Sequence, residues 1–150
     1  MNYRIAKLRE YLFGIIDELV KEKNYQINAD FLGNIGDFSL DKIPTESTVK
    51  KFIVGTEIHR DVYSFRNRKF YSDDIIANLN NIGFFEDFET IIKDNNKKRR
   101  LPDINGIESI ECLNCGTLIN VDGTRATFDI QIQITYIADE NGGEISLWKL

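Results

Sequence analysis

Every second residue from Ala126 to Tyr136 is apolar, and the residues between them carry hydroxyl, amide or carboxylate groups. A period of two is that of a β-strand, in which successive side chains point to opposite faces of a sheet. The segment therefore predicts a half-buried strand, and its register decides which face of the sheet is core. The polar residues of the segment are Thr127, Asp129, Gln131, Gln133 and Thr135. This row contains no set of catalytic groups.

Length and composition predict one globular domain without a membrane segment. The chain has 150 residues, 42% of them apolar, which is enough for one hydrophobic core. No run approaches the roughly 18 consecutive apolar residues of a membrane helix, and the charged first segment is unlike a signal peptide. These features predict a protein that is made and kept in the cytoplasm. A net charge of −5 argues against a protein whose main task is to grip nucleic acid.

The first third of the chain predicts a helix and two strands. Segment 3–22 has an apolar stripe at helical spacing and charges on the opposite side, which is typical of an amphipathic helix. Apolar residues then alternate from Tyr25 to Phe31, which predicts the first strand. A shorter strand through Phe38 and Leu40 is expected before Pro44.

The stretch from Val49 to Phe65 is rich in β-branched and aromatic residues and predicts one long strand. Its apolar alternation changes phase near Asp61. A change of phase within a strand indicates a β-bulge or a bend. We therefore expect a single strand that is bent at this residue.

Two helices are predicted in the centre of the chain. Ser72 has the side chain of an N-cap, and Asp73 and Asp74 follow in the first turn, where the helix dipole favours negative charge. Apolar stripes at helical spacing occur on both sides of Gly83. We expect a helix, a break or kink at Gly83, and a second helix that ends near Asn95.

The remaining pattern completes an α+β domain. A strand is predicted from Ile107 to Val121, and Asp122-Gly123 is a turn signal that joins it to the Ala126–Tyr136 strand as a hairpin. We predict a single domain over residues 1–138, with a mixed and mostly antiparallel sheet covered by the N-terminal helix and the central helical pair. Residues 139–150 form a separate tail.

The tail contains a candidate docking arm. Asp139 to Gly143 has the composition of a hinge, and Ile145, Leu147 and Trp148 are apolar without a place in the predicted sheet. The segment can be read as an arm that docks on another subunit. It can equally be read as a segment that packs over the edge of its own sheet.

Cysteine and histidine positions do not predict an active site. Cys112 and Cys115 have the spacing of a redox dithiol or half a zinc site, but His59 is the only histidine, and zinc needs about four ligands. A redox dithiol stands before a helix, whereas this pair precedes Gly116 and a hairpin. We expect one buried and one outward thiol, a hydrogen-bonded His59, and no catalytic, metal-binding or cofactor-binding residues.

Two basic clusters form the candidate interaction surface. One lies around the end of the long predicted strand and the other follows the predicted helical pair. Positive side chains at a helix C-terminus interact favourably with the helix dipole, and this could explain part of the second cluster. The second cluster contains more positive charges than this interaction requires. Contact with phosphates or an acidic partner is the alternative reading. The candidate residues are Arg66, Arg68, Lys69, Lys97, Lys98, Arg99 and Arg100.

Several stretches together resemble a family of small proteins of tailed bacteriophages and prophages of Gram-positive bacteria. Members of this family are described as minor capsid or tail-terminator proteins. The resemblance covers most of residues 3–138, and its specificity comes from the order and extent of the stretches. These are residues 27–33, 38–46, 58–66, 81–88, 95–98, 101–104, 107–116 and 128–136.

The resemblance implies a structural virion protein without enzymatic activity or cofactor. Such a protein forms a ring, expected to be a hexamer, that caps the tail tube and receives the head connector. Its partners would be copies of itself, the tail-tube protein and the head-completion or connector protein, with passive contact to DNA in the lumen and none to membrane. It would be found in the virion, and in the host cytoplasm during assembly.

Other functions remain open from the sequence. The first alternative is a head-completion, neck or minor capsid role in the same particle. A second is a non-enzymatic nucleic-acid-binding accessory protein that uses the basic cluster of residues 93–100, and the third is a dithiol enzyme.

Overall fold

The described residues form a seven-stranded mixed sheet with two α-helices, which confirms the predicted α+β class. The structure is a computed structural model and describes residues 3–19, 27–29, 38–45, 48–51, 55–70, 75–114, 116–122 and 125–139. The helices are α1 (Arg4–Leu19) and α2 (Ile75–Lys97). The strands are β1 (Ile27–Ala29), β2 (Phe38–Ile43), β3 (Thr48–Lys51), β4 (Thr56–Phe70), β5 (Ile107–Cys112), β6 (Thr117–Asp122) and β7 (Arg125–Asp139).

Two long central strands organise the sheet. The strand order is β1-β2-β4-β7-β5, with β3 also paired to β4 and β6 also paired to β7. Strands β1 and β2 are parallel, and the other pairs are antiparallel. Strands β4 and β7 each have 15 residues and pair without a register shift from Thr56↔Asp139 to Phe70↔Arg125. At about 3.3 Å per residue this ladder is roughly 50 Å long.

Both helices pack on one face of the sheet, which we call the core face. Leu8 and Leu12 of α1 and Phe88 of α2 are fully buried in one cluster with the inward residues of β4 and β7. Phe65 of β4 lies between Phe38 and Phe88, with ring centroids 5.1 and 5.4 Å away. The predicted alternation of β7 is thus confirmed, because its even-numbered residues from 126 to 138 are all buried on this face.

The prediction of one long strand from Val49 to Phe65 is wrong. The chain forms two antiparallel strands there, β3 and β4, and Gly55 before β4 has a φ of 85°. Glycine adopts this left-handed conformation without the steric cost that other residues meet. The ladder of β4 with β7 has no bulge at Asp61. The apparent change of phase arises because the apolar residues Ile58 and Tyr63 lie on opposite faces of one regular strand.

The predicted helical pair is a single helix. Helix α2 runs for 23 residues without a break at Gly83. A glycine in a helix interior costs about 1 kcal/mol, and burial of Phe85, Phe88 and Ile92 against the sheet offsets that cost. The predicted cap at Ser72 lies outside the described residues.

The predicted strand from Ile107 to Val121 is also divided. It forms β5 and β6, which pair with successive parts of β7. At the break, the N–H of Leu113 donates to the carbonyl of Gln131 (2.8 Å), and the side chain of Asn114 accepts the N–H of Gln131 (2.8 Å). A short polar side chain that bonds to backbone in this way competes with the strand ladder. The predicted β6–β7 hairpin is present.

Candidate functional site

The carboxylate of Asp61 is the centre of a buried polar cluster on the core face. The residue is only 1% exposed. The Nε of Arg4 donates to Asp61 Oδ2 at 2.8 Å, and the Nζ of Lys42 lies 3.5 Å from Oδ1. A buried charge is costly unless it is paired and hydrogen-bonded. Helix α1 and strand β2 each supply a cation that meets this requirement.

Two phenols complete the coordination of this carboxylate. The hydroxyl of Tyr63 donates to Asp61 Oδ2 at 3.2 Å, and the hydroxyl of Tyr136 donates to Oδ1 at 3.4 Å. The guanidinium of Arg4 also lies 4.5 Å from the centre of the Tyr136 ring. We call Arg4, Lys42, Asp61, Tyr63 and Tyr136 the Asp61 cluster. Because each carboxylate oxygen receives a cation and a phenol, the arrangement fixes a charge rather than exposing a base.

The position of Arg4 indicates that the cluster anchors helix α1. Arg4 is the first residue of the helix, where the positive end of the helix dipole disfavours a cation. Its hydrogen bond to Asp61 compensates for this unfavourable position. A cavity of about 310 Å³ lies beside the anchor and is lined by Tyr3, Arg4, Ile5, Lys42, Asp61 and Tyr63.

A second polar pair extends the Asp61 cluster along the core face of β4. The Nε2 of His59 lies 2.6 Å from Glu57 Oε2, and the His59 ring is 5.6 Å from the ring of Tyr136. His59 is thus a hydrogen-bonded, half-buried histidine, as the sequence predicts. Positions 57, 59, 61 and 63 share one face, because alternate residues of a strand do so.

The Asp61 cluster shifts the pKa of two of its members. Burial, followed by the charge of Asp61, raises the pKa of Tyr63 far above its ordinary value of 10.0. Burial alone would lower the pKa of Arg4, but the hydrogen bond and charge of Asp61 outweigh it and the net pKa is raised. Both shifts favour a neutral Tyr63 and a charged Arg4 around the carboxylate.

Tyr63 should keep its proton in the native protein at pH values where ordinary tyrosines ionise. Below pH 10 the folded and unfolded states both hold this proton, so the group has no effect on the pH dependence of stability. Above pH 10 only the unfolded state loses the proton, and the free energy of unfolding should fall as pH rises. Phenolate absorbance measured up to about pH 11 tests this, since ordinary tyrosines titrate near pH 10.

The variant Tyr63→Phe is the control for this titration. Native wild-type protein and native variant should release the same number of phenolic protons up to that pH. After unfolding, the wild type should show one phenolate more than the variant. A native wild-type protein that already shows the extra phenolate would contradict the assignment.

The second basic cluster forms the end of helix α2. Arg99 has a φ of 59°, and the N–H groups of Arg99 and Arg100 donate to the carbonyls of Asn96 (3.3 Å) and Asn95 (2.8 Å). This is the hydrogen-bond pattern of a Schellman motif, which satisfies the last carbonyls of a helix. Residues 97–100 are all exposed. Part of their charge is locally engaged, because Lys98 pairs with Asp94 at 3.0 Å.

The structure does not unite the two predicted basic clusters. Arg66 and Arg68 lie on the face of the sheet opposite α2, which we call the polar face, because they alternate with the inward Phe65. There Arg66 forms an ion pair with Asp41, whose Oδ1 also accepts the hydroxyl of Ser39 at 2.7 Å. The side chain of Lys69 lies outside the described residues. The predicted interaction surface is therefore two surfaces on opposite sides of the sheet.

A groove between α2 and β5 is the second candidate site. Its volume is about 380 Å³, and it is lined by Glu89, Ile92, Lys93, Asn96, Lys97, Ile110, Glu111 and Cys112. Cys112 is half-buried in this groove. Cys115 lies outside the described residues, and so do Ile145, Leu147 and Trp148 of the predicted docking arm.

Sequence reasoning missed the Asp61 cluster. The available signal was that Asp61 is in phase with Tyr63 and Phe65, so an inward carboxylate followed from the alternation itself. Nothing local pointed to Arg4 or Tyr136, which lie 57 and 75 residues away along the chain.

The part of the chain that the structure describes contains no group of three or more histidine, cysteine, aspartate or glutamate residues that could hold a metal ion. Neither helix in that part is long and apolar enough to cross a membrane. In comparisons with known proteins, no protein-family model matches the chain, and no curated protein matches it significantly.

Proposed function

We propose that the protein is a structural subunit of a tailed-phage particle, a tail terminator that forms a ring on the end of the tail tube. Its work in this role is contact between surfaces, and no covalent bond is made or broken. The proposal begins from the resemblance of residues 3–138 to the tail-terminator family. The α+β fold is the class that the resemblance implies.

The observation that carries the proposal is the polar face of the sheet. Strands β4 and β7 expose on this face a row of half-buried polar residues, which includes Arg60, Gln131, Gln133 and Thr135. Both helices pack on the core face, so neither covers this row. The half-buried part of this row suits repeated polar contacts with other protein subunits.

A ring also requires a particular kind of interface. One surface patch of each subunit must contact a different patch of the next subunit. The rotation that relates neighbouring subunits must also bring the last subunit back to the first, so that the ring closes. The two edges of this sheet are different: β1 and β3 lie on one side of β4, and β5 and β6 lie on the other side of β7. An asymmetric sheet of this kind supports such head-to-tail contact. A stable interface of this type buries on the order of 1,200–2,000 Å².

The neighbouring role of a head-completion or neck protein uses the same contact chemistry. The two roles differ in the partner, which is the tail tube in one and the head connector in the other. A nucleic-acid-binding role would depend on the exposed basic turn of residues 97–100. Because Lys98 is paired with Asp94 and Arg99 donates to the carbonyl of Glu108, we assign this turn at most passive contact with DNA.

Solution mass tests the proposal. Light scattering should be applied to the purified protein alone and to the protein mixed with purified tail tubes. In at least one of these two samples the measured mass should be that of an oligomer. A hexamer of the 17.4 kDa chain would have a mass of roughly 100 kDa. If association occurs only on the tube, its entropy cost of at least ~4 kcal/mol explains a free monomer. Electron microscopy of virions should then show the ring at the junction of tail and head.

Charge substitutions separate the polar face from other surfaces. The double variant Gln131→Lys and Gln133→Lys should prevent assembly without loss of the fold. The matched control is Glu86→Gln with Asp87→Asn on the exposed side of α2, which changes the net charge by the same amount and should leave assembly unchanged. A protein that stays monomeric with and without tubes and is absent from virions would refute the proposal.

A further inference from the structure

We propose that the groove between α2 and β5 is the docking site of residues 140–150 of the same chain, with Trp148 as the anchor. These residues lie outside the described part of the chain. The inference goes beyond the proposed function, because it concerns contacts within one subunit and does not require a ring.

The groove has the chemistry of a site for an apolar side chain. Ile92 and Ile110 form its floor and are 1% and 0% exposed, and the half-buried Cys112 lies beside them. Its volume of about 380 Å³ falls in the range of pockets that bind small ligands. The segment supplies apolar groups of matching character in Ile145, Leu147 and Trp148.

The charges of the groove and of the segment are complementary. Charged side chains of both signs line the groove, and the apolar residues of the segment are flanked by Glu144 on one side and Lys149 on the other. An acidic group before the anchor can pair with a lysine of α2, and a basic group after it can pair with a glutamate. The charged lining residues are Glu89, Lys93, Lys97 and Glu111.

The segment leaves the sheet close enough to reach this groove. The N–H of Ile137 donates to the carbonyl of Gly106 (2.9 Å), so the end of β7 lies beside the start of β5. Ile110 in the groove is opposite Ile134, five residues before the end of β7, a distance of about 17 Å along the strand. Trp148 follows Asp139 by nine residues, which span up to about 30 Å.

A tether of this length favours the segment's own groove over that of another subunit. Covalent linkage gives the segment an effective concentration in the millimolar range at a site within its reach. Gly142 and Gly143 permit the reversal of chain direction that this contact requires. We therefore assign the groove to the segment of its own chain.

Trp148 reports its own environment, because it is the only tryptophan of the protein. In the folded full-length chain its emission should be shifted to shorter wavelength than free tryptophan and protected from acrylamide. Both properties should persist on dilution, whether or not the oligomeric mass falls. The variant Cys112→Phe fills the groove and should move the emission towards that of tryptophan in water.

A second variant tests the same contact through charge, so that the conclusion does not depend on the change of packing in Cys112→Phe. Lys93→Glu with Lys97→Glu reverses charge at the rim of the groove and should also expose Trp148. The matched control Lys98→Glu changes a neighbouring charge that does not line the groove and should leave the emission unchanged. Circular dichroism checks that each variant is folded.

Three results would overturn the inference. One is a wild-type Trp148 with the emission and quenching of free tryptophan. Another is protection that disappears on dilution together with a fall in mass, since the occupant would then come from another subunit. The third is unchanged protection in both folded groove variants, which would place the segment elsewhere. None of these results depends on whether the protein forms a ring on a tail tube.

Discussion

Replacing Asp61 by asparagine should lower the free energy of unfolding by about 3 kcal/mol. Removing one partner of a buried ion pair typically costs about 3–5 kcal/mol, because the remaining charge loses its compensation. We expect the lower end of this range, because the side chains of Arg4 and Lys42 are 32% and 53% exposed and can turn towards water. Urea denaturation followed by circular dichroism measures the change.

Two comparisons make this result specific to the Asp61 cluster. Asp87→Asn removes an exposed carboxylate from α2 and should change stability by less than about 0.5 kcal/mol. The double variant Arg4→Met with Asp61→Asn should be less destabilised than the sum of its two single variants, because both remove the same ion pair. Additive effects would show that Arg4 and Asp61 act independently and would contradict the anchor.

Replacing Gly116 by alanine should lower the free energy of unfolding by about 2 kcal/mol, within the range of about 1–3 kcal/mol for overpacking a core. A Cβ atom at this position would lie only 2.5 Å from the Cβ and 2.7 Å from the Cδ1 of Phe85. Phe85 is 1% exposed and packs against Phe84 and Phe128. It therefore has little room to move away from the added methyl group.

Gly83→Ala is the matched control for this change. Position 83 lies inside helix α2 and has open space around an added Cβ, so alanine should raise stability by roughly 0.5–1 kcal/mol. Thermal unfolding of both variants should give shifts of opposite sign. Phe85→Leu should recover part of the loss in the Gly116→Ala background. Equal destabilisation with and without Phe85→Leu would show that the ring is not the obstacle.

Local sequence patterns predicted the elements whose periodicity is uninterrupted. The apolar stripe of residues 3–22 predicted α1, and the alternation from Ala126 to Tyr136 predicted β7 and the face on which it is buried. Such patterns are reliable where burial of one face dominates the energy of an element. They also predicted the β6–β7 hairpin from its turn residues.

The wrong predictions concern the points at which elements break. The Val49–Phe65 segment and the Ile107–Val121 segment have the composition of strands throughout, yet each contains two. The breaks depend on the conformation of Gly55 and on hydrogen bonds between Asn114 and Gln131. Gly83 predicted a break that burial of α2 against the sheet overrides. The break at Gly55 depends on local backbone conformation, whereas contacts outside the segment decide the other two cases.

The sequence by itself determined the α+β class of this protein, the two faces of strand β7 and the absence of a membrane-like apolar run, because these depend on composition and on periods of two or 3.6 residues. Only the tertiary structure decided that Arg4, Lys42, Tyr63 and Tyr136 surround Asp61, and that the basic residues of β4 and α2 lie on opposite faces. Pairing of strands brings residues together that are far apart along the chain, and no local period records which strands will pair.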